Sequence, residues 1–156
     1  ALGFEVRGYA RTPRSIEGVA TFAGSDQLAA FADGLDIVVS VLPLTPETTG
    51  IMNAGFFGML ADGAFIINGG RGPQVDDDDL LAALDSGKLG GAALDVFAVE
   101  PLPQDHLFWT HPKVRVWPHV AAQTNATSAA GQVAAAITAM MDGSEPANRV
   151  DWSRGY

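Results

Sequence analysis

Four polar residues stand just beyond apolar runs that are typical of buried strands: Arg71, Asp95, Glu100 and His119. Because the carboxyl ends of parallel strands lie on one side of a sheet, these side chains can converge on one site. Arg71 offers a planar fork of donors that suits a carboxylate. His119 can pass a proton to a carbonyl oxygen as hydride arrives at the carbon, and a paired Glu100 favours the imidazolium that donates it. The set therefore suits the reduction of a 2-keto acid.

Each of these residues also has an ordinary structural interpretation when it is taken alone. His119 follows a proline and can be a satisfied structural histidine, Glu100 can be a solvated loop residue, and Asp95 can be a cap. His106 and His111 lie in a loop, and we interpret both as surface residues. It is the combination that favours a chemical role.

The elements that must position these residues alternate between strand and helix. Apolar, mostly β-branched runs predict strands over 5–9, 19–22, 37–42, 64–67, 91–97 and 114–117. Helices are predicted over 25–31, 53–60, 80–84 and up to 141, with N-caps at Ser25, Asn53 and either Asn125 or Thr127. Strand cores that are apolar throughout predict an α/β fold with a doubly wound parallel sheet covered on both faces.

The composition narrows the possible partners. The net charge is −9, which disfavours a nucleic-acid or anionic membrane surface. The sequence contains no cysteine, so thiolate chemistry is excluded, and no apolar run approaches the length of a membrane span. Four consecutive aspartates, Asp76 to Asp79, suit a helix start but fan out around it, so no metal site is predicted. We expect a cytoplasmic protein of one domain's size.

Four spaced motifs carry a resemblance to a known family. They are VLPLTPETTGI at 41–51, NGGRG at 68–72, LDVF at 94–97 with EPLP at 100–103, and PHVAA at 118–122. In this order they resemble the D-isomer-specific 2-hydroxyacid dehydrogenases, and within them most closely the glyoxylate/hydroxypyruvate reductases of the A type. The closing residues 150–151 and 154–156 share the resemblance, which covers nearly the whole chain.

The resemblance implies a role for each candidate residue. Arg71 would bind the substrate carboxylate, His119 would be the acid and base, and Glu100 would orient and charge it. Asp95 would hold the nicotinamide carboxamide. The remaining implied cofactor contacts are Leu42, Pro43 and Thr48 on the adenosine and phosphate side, and Gly69, Ala121 and Ala122 along the nicotinamide. Gly70 stands where many relatives carry alanine, and we expect it to loosen its loop slightly.

The residues after the first predicted strand bear on the choice of cofactor. NAD-selective dinucleotide folds place a carboxylate at the end of the second strand, where it binds the ribose 2′-hydroxyl. That position is Ala10 here, with Arg11 next and Arg14 close by. Two arginines would attract a 2′-phosphate, so we predict NADPH over NADH. The alternative is that both are ordinary loop charges.

The resemblance also indicates what precedes this sequence in the family. A Gly-rich G-x-G-x-x-G fingerprint is expected before the strand at 5–9, and it is absent, as is a separate N-terminal substrate domain. We therefore expect the C-terminal part of a longer enzyme. Residues 1–122 would be the remainder of a Rossmann-like dinucleotide-binding domain, and 123–156 a helix and tail that pack on the substrate domain. Relatives imply a homodimer, and the isolated piece should be inactive.

The expected reaction is the NADPH-dependent reduction of glyoxylate or hydroxypyruvate. An NAD-linked relative such as a phosphoglycerate dehydrogenase is an alternative that Ala10 disfavours. A formate dehydrogenase is disfavoured because Glu100 stands where glutamine is expected. A non-catalytic, dinucleotide-sensing module of the corepressor type remains open, because such proteins resemble the enzymes even at Arg71, Glu100 and His119.

Overall fold

The computed structural model describes residues 3–150, so the part of the closing motif at 151–156 lies outside the described residues. The strands are β1 Arg7–Ala10, β2 Ala20–Ala23, β3 Ile37–Ser40, β4 Ala64–Asn68, β5 Leu89–Leu94 and β6 Val114–Val116. The α-helices are α1 Leu28–Ala32, α2 Ala54–Met59, α3 Asp77–Asp85 and α4 Ala126–Met141. Short 3-10 helices cover Ser25–Gln27, Gly72–Gln74 and Leu107–Trp109. From β2 onward strands and helices alternate, as the sequence predicts, whereas β1 is followed directly by β2.

Every strand pairing within these sheets is parallel. β1 and β2 form a two-stranded sheet, and the other four strands form a sheet in the order β3-β4-β5-β6. In the larger sheet, Ile66 of β4 lies opposite Val38 of β3 and Ala92 of β5. The predicted α/β class with a parallel sheet is confirmed, and the carboxyl ends of β3 to β6 share one edge.

The core lies on one face of the larger sheet, between the sheet and helices α1 to α3. Ile66, Leu80 and Leu84 are completely buried there. On the opposite face, Val39 is 59% exposed and Phe65 is 51% exposed. The expectation that both faces are covered therefore holds for one face only among the described residues. Apolar, β-branched strands suit a pleated surface whichever face is buried, so the composition alone did not reveal the open face.

The predicted helix caps at Asn53 and Asn125 are present, and Asp76, one of the acidic residues expected at a helix start, caps a third helix. The side chains of Asn53, Asp76 and Asn125 each accept hydrogen bonds from backbone N–H groups in the first turn of their helices. The prediction for Ser25 is wrong, because the 3-10 helix there has Gly24 at its N-cap and no side-chain cap. Instead, the side chain of Gln27 reaches back and accepts from a backbone N–H of β2.

The four aspartates at the start of α3 have separate partners. Asp76 caps the helix, Asp77 faces His106 at 3.6 Å, and Asp79 accepts from the backbone N–H of Ala54 at the start of α2. Within residues 3–150, no group of three or more histidine or acidic side chains could hold a metal ion.

Helix α4 differs from the other helices because none of its residues is buried. Apolar side chains such as Ile137, Met140 and Met141 are more than half exposed on it. In the described part of the chain, no helix has the length and apolar character needed to cross a membrane.

Candidate active site

The loops that follow β4 and β5 touch backbone to backbone. A Cβ atom on Gly72 would lie 1.8 Å from the carbonyl carbon of Phe97 and 2.0 Å from its oxygen, so only glycine fits there. Gly72 has no positive φ, so this is a requirement for space alone. The contact fixes the residue before it, Arg71, relative to the loop that carries Glu100.

His119 and Glu100 form a hydrogen-bonded pair at this edge. The distance from His119 Nδ1 to Glu100 Oε2 is 2.8 Å, and Glu100 Oε1 accepts from the backbone N–H of Phe97 at 2.9 Å. The hydrogen bond with His119 lowers the pKa of Glu100, and the backbone donor and the nearby charge of Arg71 lower that pKa further. An ionised Glu100 makes Nδ1 the donor, which leaves Nε2 to exchange a proton with a ligand.

The backbone of His119 is in the left-handed region, with φ 56°. Non-glycine residues adopt this conformation at a cost, and it persists only where the surroundings determine it. Here the N–H of His119 donates to the backbone oxygen of Asp95 at 2.8 Å. The two carboxylate oxygens of Asp95 accept from the N–H groups of Val120 and Ala121 at 2.8 and 2.9 Å.

Asp95 is therefore buried beneath the loop that presents His119, with an exposure of only 7%. Both of its carboxylate oxygens already bind that loop. Contact between Asp95 and a nicotinamide carboxamide stays a prediction, whereas its structural role is visible in these hydrogen bonds.

Several predicted residues meet around one open cavity of about 420 Å³. Leu42, Pro43, Gly69 and Arg71 all line it. The Arg71 side chain is exposed, and its Nη1 donates to the backbone oxygen of Gly70 at 2.7 Å. The structure thus brings the predicted carboxylate-binding arginine beside the loop that follows β3.

A second cavity, of about 290 Å³, adjoins the first at Gly69. Its lining includes Gly69, Asp95 and Ala121, with Trp117 on one side. A Cβ atom on Gly69 would lie 3.8 Å from the Cβ of Ala121, so the two small residues are neighbours. Together they form a low apolar surface that a flat ring could approach.

A third cavity, of about 410 Å³, also borders Trp117. Glu100 and His119 line it together with the apolar side chains of Trp109, Phe97 and Leu102. The imidazole of His119 and the carboxylate of Glu100 therefore border a cavity whose other walls are largely apolar.

Four predicted cofactor contacts, Thr48, Ala122, Arg11 and Arg14, do not line these cavities. The hydroxyl of Thr48 donates to the carbonyl of Pro43 and accepts from the backbone N–H of Thr45, both at 2.8 Å. Thr48 therefore stabilises the conformation of the loop after β3 through hydrogen bonds within that loop. Ala122 is exposed.

Arg11 and Arg14 lie in the exposed loop after β1. The pKa of Glu47 is lowered, first by a hydrogen bond from the Thr45 side chain and also by the positive charge of Arg11. Arg11 thus faces the loop that follows β3, on the same side of the molecule as Leu42 and Pro43.

One residue at the site gave no signal in the sequence. Gln74 is completely buried, although glutamine is mostly found at protein surfaces. Its amide nitrogen donates to the carbonyls of Leu42 and Pro43, and its amide oxygen accepts from the backbone N–H of Arg71. The role of Gln74 is visible only in three dimensions, where the loops after β3 and β4 meet at its side chain.

The expectation that Gly70 loosens its loop is wrong. Gly70 is buried, and its N–H donates to the side chain of Asn68 at 3.0 Å. A Cβ atom on Gly70 would lie 2.5 Å from Oε1 of Gln74 and 3.0 Å from the backbone oxygen of Leu42. The space that an alanine methyl would occupy is filled, so the loop is held rather than loosened.

Comparison with known families gives one match that covers most of the chain. Residues 1–121 match the family model for D-isomer specific 2-hydroxyacid dehydrogenase, NAD binding domain. The chain is 51% identical over 156 residues to glyoxylate/hydroxypyruvate reductase A of Serratia proteamaculans and 49% identical over 155 residues to that of Yersinia enterocolitica. Those alignments cover 100% and 99% of this chain but 50% of each relative. The chain therefore spans about half the length of the curated relatives it matches.

Solved structures agree with this match. A D-isomer specific 2-hydroxyacid dehydrogenase from Xanthobacter autotrophicus, in complex with NADPH and MES, superposes with a TM-score of 0.95 at 47% identity, over 99% of this chain and 64% of that one. An NADPH-dependent glyoxylate/hydroxypyruvate reductase from Sinorhizobium meliloti, in complex with NADP and sulfate, gives a TM-score of 0.93 at 42% identity, over 99% and 50%.

Proposed function

The chain belongs to the D-isomer specific 2-hydroxyacid dehydrogenases, and we propose that it is part of an enzyme that reduces glyoxylate or hydroxypyruvate with NADPH. The observation that carries the proposal is the His119–Glu100 pair at 2.8 Å, with the charge of Arg71 close enough to lower the pKa of Glu100. One edge of the sheet thus carries the three groups that the reduction needs. They are the acid His119, its orienting carboxylate Glu100, and Arg71 as the cation for the substrate carboxylate.

Each residue has a defined part in the reduction. The guanidinium of Arg71 binds the carboxylate of the keto acid and so orients the carbonyl. Glu100 keeps the imidazole of His119 in place through Nδ1, and Nε2 donates a proton to the carbonyl oxygen. A bound NADPH would supply the hydride for the reduction. The product is the 2-hydroxy acid, and His119 is left neutral until it regains a proton from water.

The residues of this chain fit a dinucleotide. Gly69 and Ala121 leave an apolar surface low enough for a ring, and Asp95 holds the loop that forms its far side. Arg11 and Arg14 supply positive charge where a 2′-phosphate would distinguish NADPH from NADH. Asp95, Thr48 and Ala122 remain proposed contacts of the cofactor.

The first experiment uses the complete protein that carries this chain. NADPH oxidation with glyoxylate is followed for the wild type, for His119→Gln and for Arg71→Lys. We expect His119→Gln to lower kcat by roughly 100-fold or more and Arg71→Lys to raise KM for glyoxylate by roughly 10- to 100-fold. Arg115→Lys is the control, because its guanidinium binds the carbonyls of Pro112 and Val114 at the opposite end of β6.

Wild-type protein that binds NADPH but does not oxidise it would refute the reductase and favour a dinucleotide-sensing module of the corepressor type. A protein that turns over faster with NADH would instead favour an NAD-linked relative.

The cofactor choice has its own test. The double change Arg11→Ala and Arg14→Ala should reduce the preference for NADPH over NADH by about tenfold or more, because the 2′-phosphate loses its charge partners. An unchanged preference would show that these arginines do not select the cofactor. The control is Arg115→Ala.

We also propose that residues 123–156 pack on the part of the protein outside this chain, and that the complete protein is a homodimer. The absence of any buried residue on α4 supports the first point. Sedimentation of the complete protein, with and without the change Met140→Asp, would test whether α4 contributes to assembly or to stability.

A further inference from the structure

Gln74 joins the two loops that line the Arg71 cavity. It ends the 3-10 helix Gly72–Gln74 and is completely buried. Its Nε2 donates to the carbonyl oxygens of Leu42 at 2.9 Å and Pro43 at 3.0 Å. Its Oε1 accepts from the backbone N–H of Arg71 at 3.1 Å and from the hydroxyl of Ser40 at 3.2 Å.

These bonds use the full capacity of a carboxamide, which has two donors and two acceptor positions. Two of them reach the loop after β3, and one reaches the peptide of the arginine that we propose binds the substrate. A buried polar group in this state is costly to replace, and it also sets the geometry of the groups that it contacts.

Gly70 is the second member of the arrangement. A methyl group at this position would collide with the Gln74 carboxamide at 2.5 Å and press on the Leu42 carbonyl at 3.0 Å. The backbone of Gly70 is not in the left-handed region, so the residue is required for space and not for conformation. Glycine at 70 and glutamine at 74 therefore depend on each other.

We infer that Gln74, paired with Gly70, is a positioning residue. It sets the distance across the cavity between Arg71 and the loop residues Leu42 and Pro43. It lies behind the cavity wall and does not itself line the opening. The inference rests on the proposed function for the role of Arg71. Its consequence is that Gln74 controls how well the keto acid and the cofactor are held, while the proton donor His119 is untouched.

The test compares variants of the complete protein. Gln74→Met keeps the length of the side chain and removes every hydrogen bond. We expect KM for glyoxylate to rise about tenfold and the Kd for NADPH, measured by fluorescence titration, to rise several-fold, with kcat within about threefold of the wild type. A side chain that served only to stabilise the fold would lower Tm and leave KM and Kd unchanged, and that result would overturn the inference.

Gln74→Glu provides a pH signature. Above the pKa of the new carboxyl group, a carboxylate would face the carbonyls of Leu42 and Pro43 and be repelled. Protonation restores a donor to one of them. Among the residues that hydrogen-bond the carboxamide, Arg71 is the charged one, and it contacts through its backbone. KM for glyoxylate in Gln74→Glu should therefore approach the wild-type value as pH falls, whereas Gln74→Met should show no such recovery.

Gly70→Ala, Gln74→Ala and the double variant complete the set. Gly70→Ala should raise KM as Gln74→Ala does, because the methyl group expels the carboxamide. The double variant should be no worse than either single variant, because the methyl then occupies the vacated space. Additive effects would refute the pairing.

Failure of the proposed function gives a different pattern. If the wild type binds NADPH without turnover, the reductase is refuted and the NADPH Kd of Gln74→Met decides the positioning inference. If the wild type does not bind NADPH, both proposals fall.

Discussion

The four-stranded and two-stranded sheets of this protein differ in how deeply their residues are buried and how firmly the loops after their strands are held. In the four-stranded sheet, Ile66 and Leu89 are completely buried, and the loops beyond the strands are fixed by Gln74 and Asp95. In the two-stranded sheet, none of the residues of β1 and β2 is buried, and Arg11 projects from an exposed loop.

This difference separates two parts of the proposed function. Groups that must meet the reacting atoms within a few tenths of an ångström follow the well-packed strands. The arginines proposed to select a phosphate follow the exposed strands, where charge acts at longer range and tolerates small displacements. Substitutions in the first region should disturb stability together with substrate binding or turnover, and those in the second should change cofactor affinity alone.

Glycine replacement should give the largest contrast between the two sheets. Gly72→Ala places a methyl group inside the Phe97 backbone, so we expect a loss of more than about 4 kcal/mol in unfolding free energy, or no folded protein. Gly8→Ala in β1 meets side chains only at 3.7 Å and should change stability by less than about 1 kcal/mol. Urea unfolding measures both. Similar losses in the two variants would remove the contrast.

Aspartate replacement should give the next largest effect. Asp95→Asn exchanges one carboxylate oxygen for an NH₂ group that faces a backbone N–H of the His119 loop, so we expect a loss of about 3 kcal/mol and a lower kcat. Asp26→Asn, beside β2, is exposed and should stay within about 0.5 kcal/mol of the wild type. A stable, fully active Asp95→Asn would show that the loop does not need this anchor.

Acidification should lower the stability of the region around the four-stranded sheet through Glu100. Its pKa is lowered in the folded protein, so its contribution to stability is present above the ordinary range of a glutamate, about 4.3, and is lost as pH falls through the lowered value. The difference in Tm between wild type and Glu100→Gln should therefore be constant from neutral pH down to that range and then shrink. A difference that grows on acidification would contradict this.

The smallest expected effect concerns Glu47, in the loop after β3, which faces Arg11 beside the two-stranded sheet. Glu47 lies where the charge of Arg11 lowers the pKa of its carboxyl group. Because that carboxylate also opposes an incoming phosphate, Glu47→Gln should strengthen NADPH binding by roughly two- to threefold while NADH binding changes less. Fluorescence titration of both cofactors measures this, with Glu145→Gln in the tail as the control. Equal changes for both cofactors would indicate that Glu47 does not sense the 2′-phosphate.

Local chemistry explains what could be predicted from the sequence. The predicted caps at Asn53 and Asn125 form because a side-chain oxygen next to the first turn is sufficient. Parallel strands brought Glu100 and His119 together because their carboxyl ends share an edge.

Contacts between distant segments explain what could not be predicted. The sequence favours a strand as far as Leu42, but β3 ends at Ser40, and the Leu42 carbonyl turns to the amide of Gln74, 32 residues later. The roles of Gly70 and Gln74 exist only where those loops meet. The open face of the larger sheet likewise depends on which helices pack against it.

The backbone contact between Gly72 and Phe97 fixes the distance between the loop that carries Arg71 and the loop that carries Glu100. The arginine beside Gly72 and the carboxylate three residues beyond Phe97 belong to one rigid frame, and His119 is bonded to that carboxylate. Under the proposed function, the span from the carboxylate-binding Arg71 to the proton donor His119 is therefore set within this chain. Under the proposed function, a 2-keto acid of any length engages both groups at once, and an acid whose carbonyl lies further from its carboxylate engages only one. In that proposal, these contacts select substrates by the distance between their carboxylate and carbonyl groups.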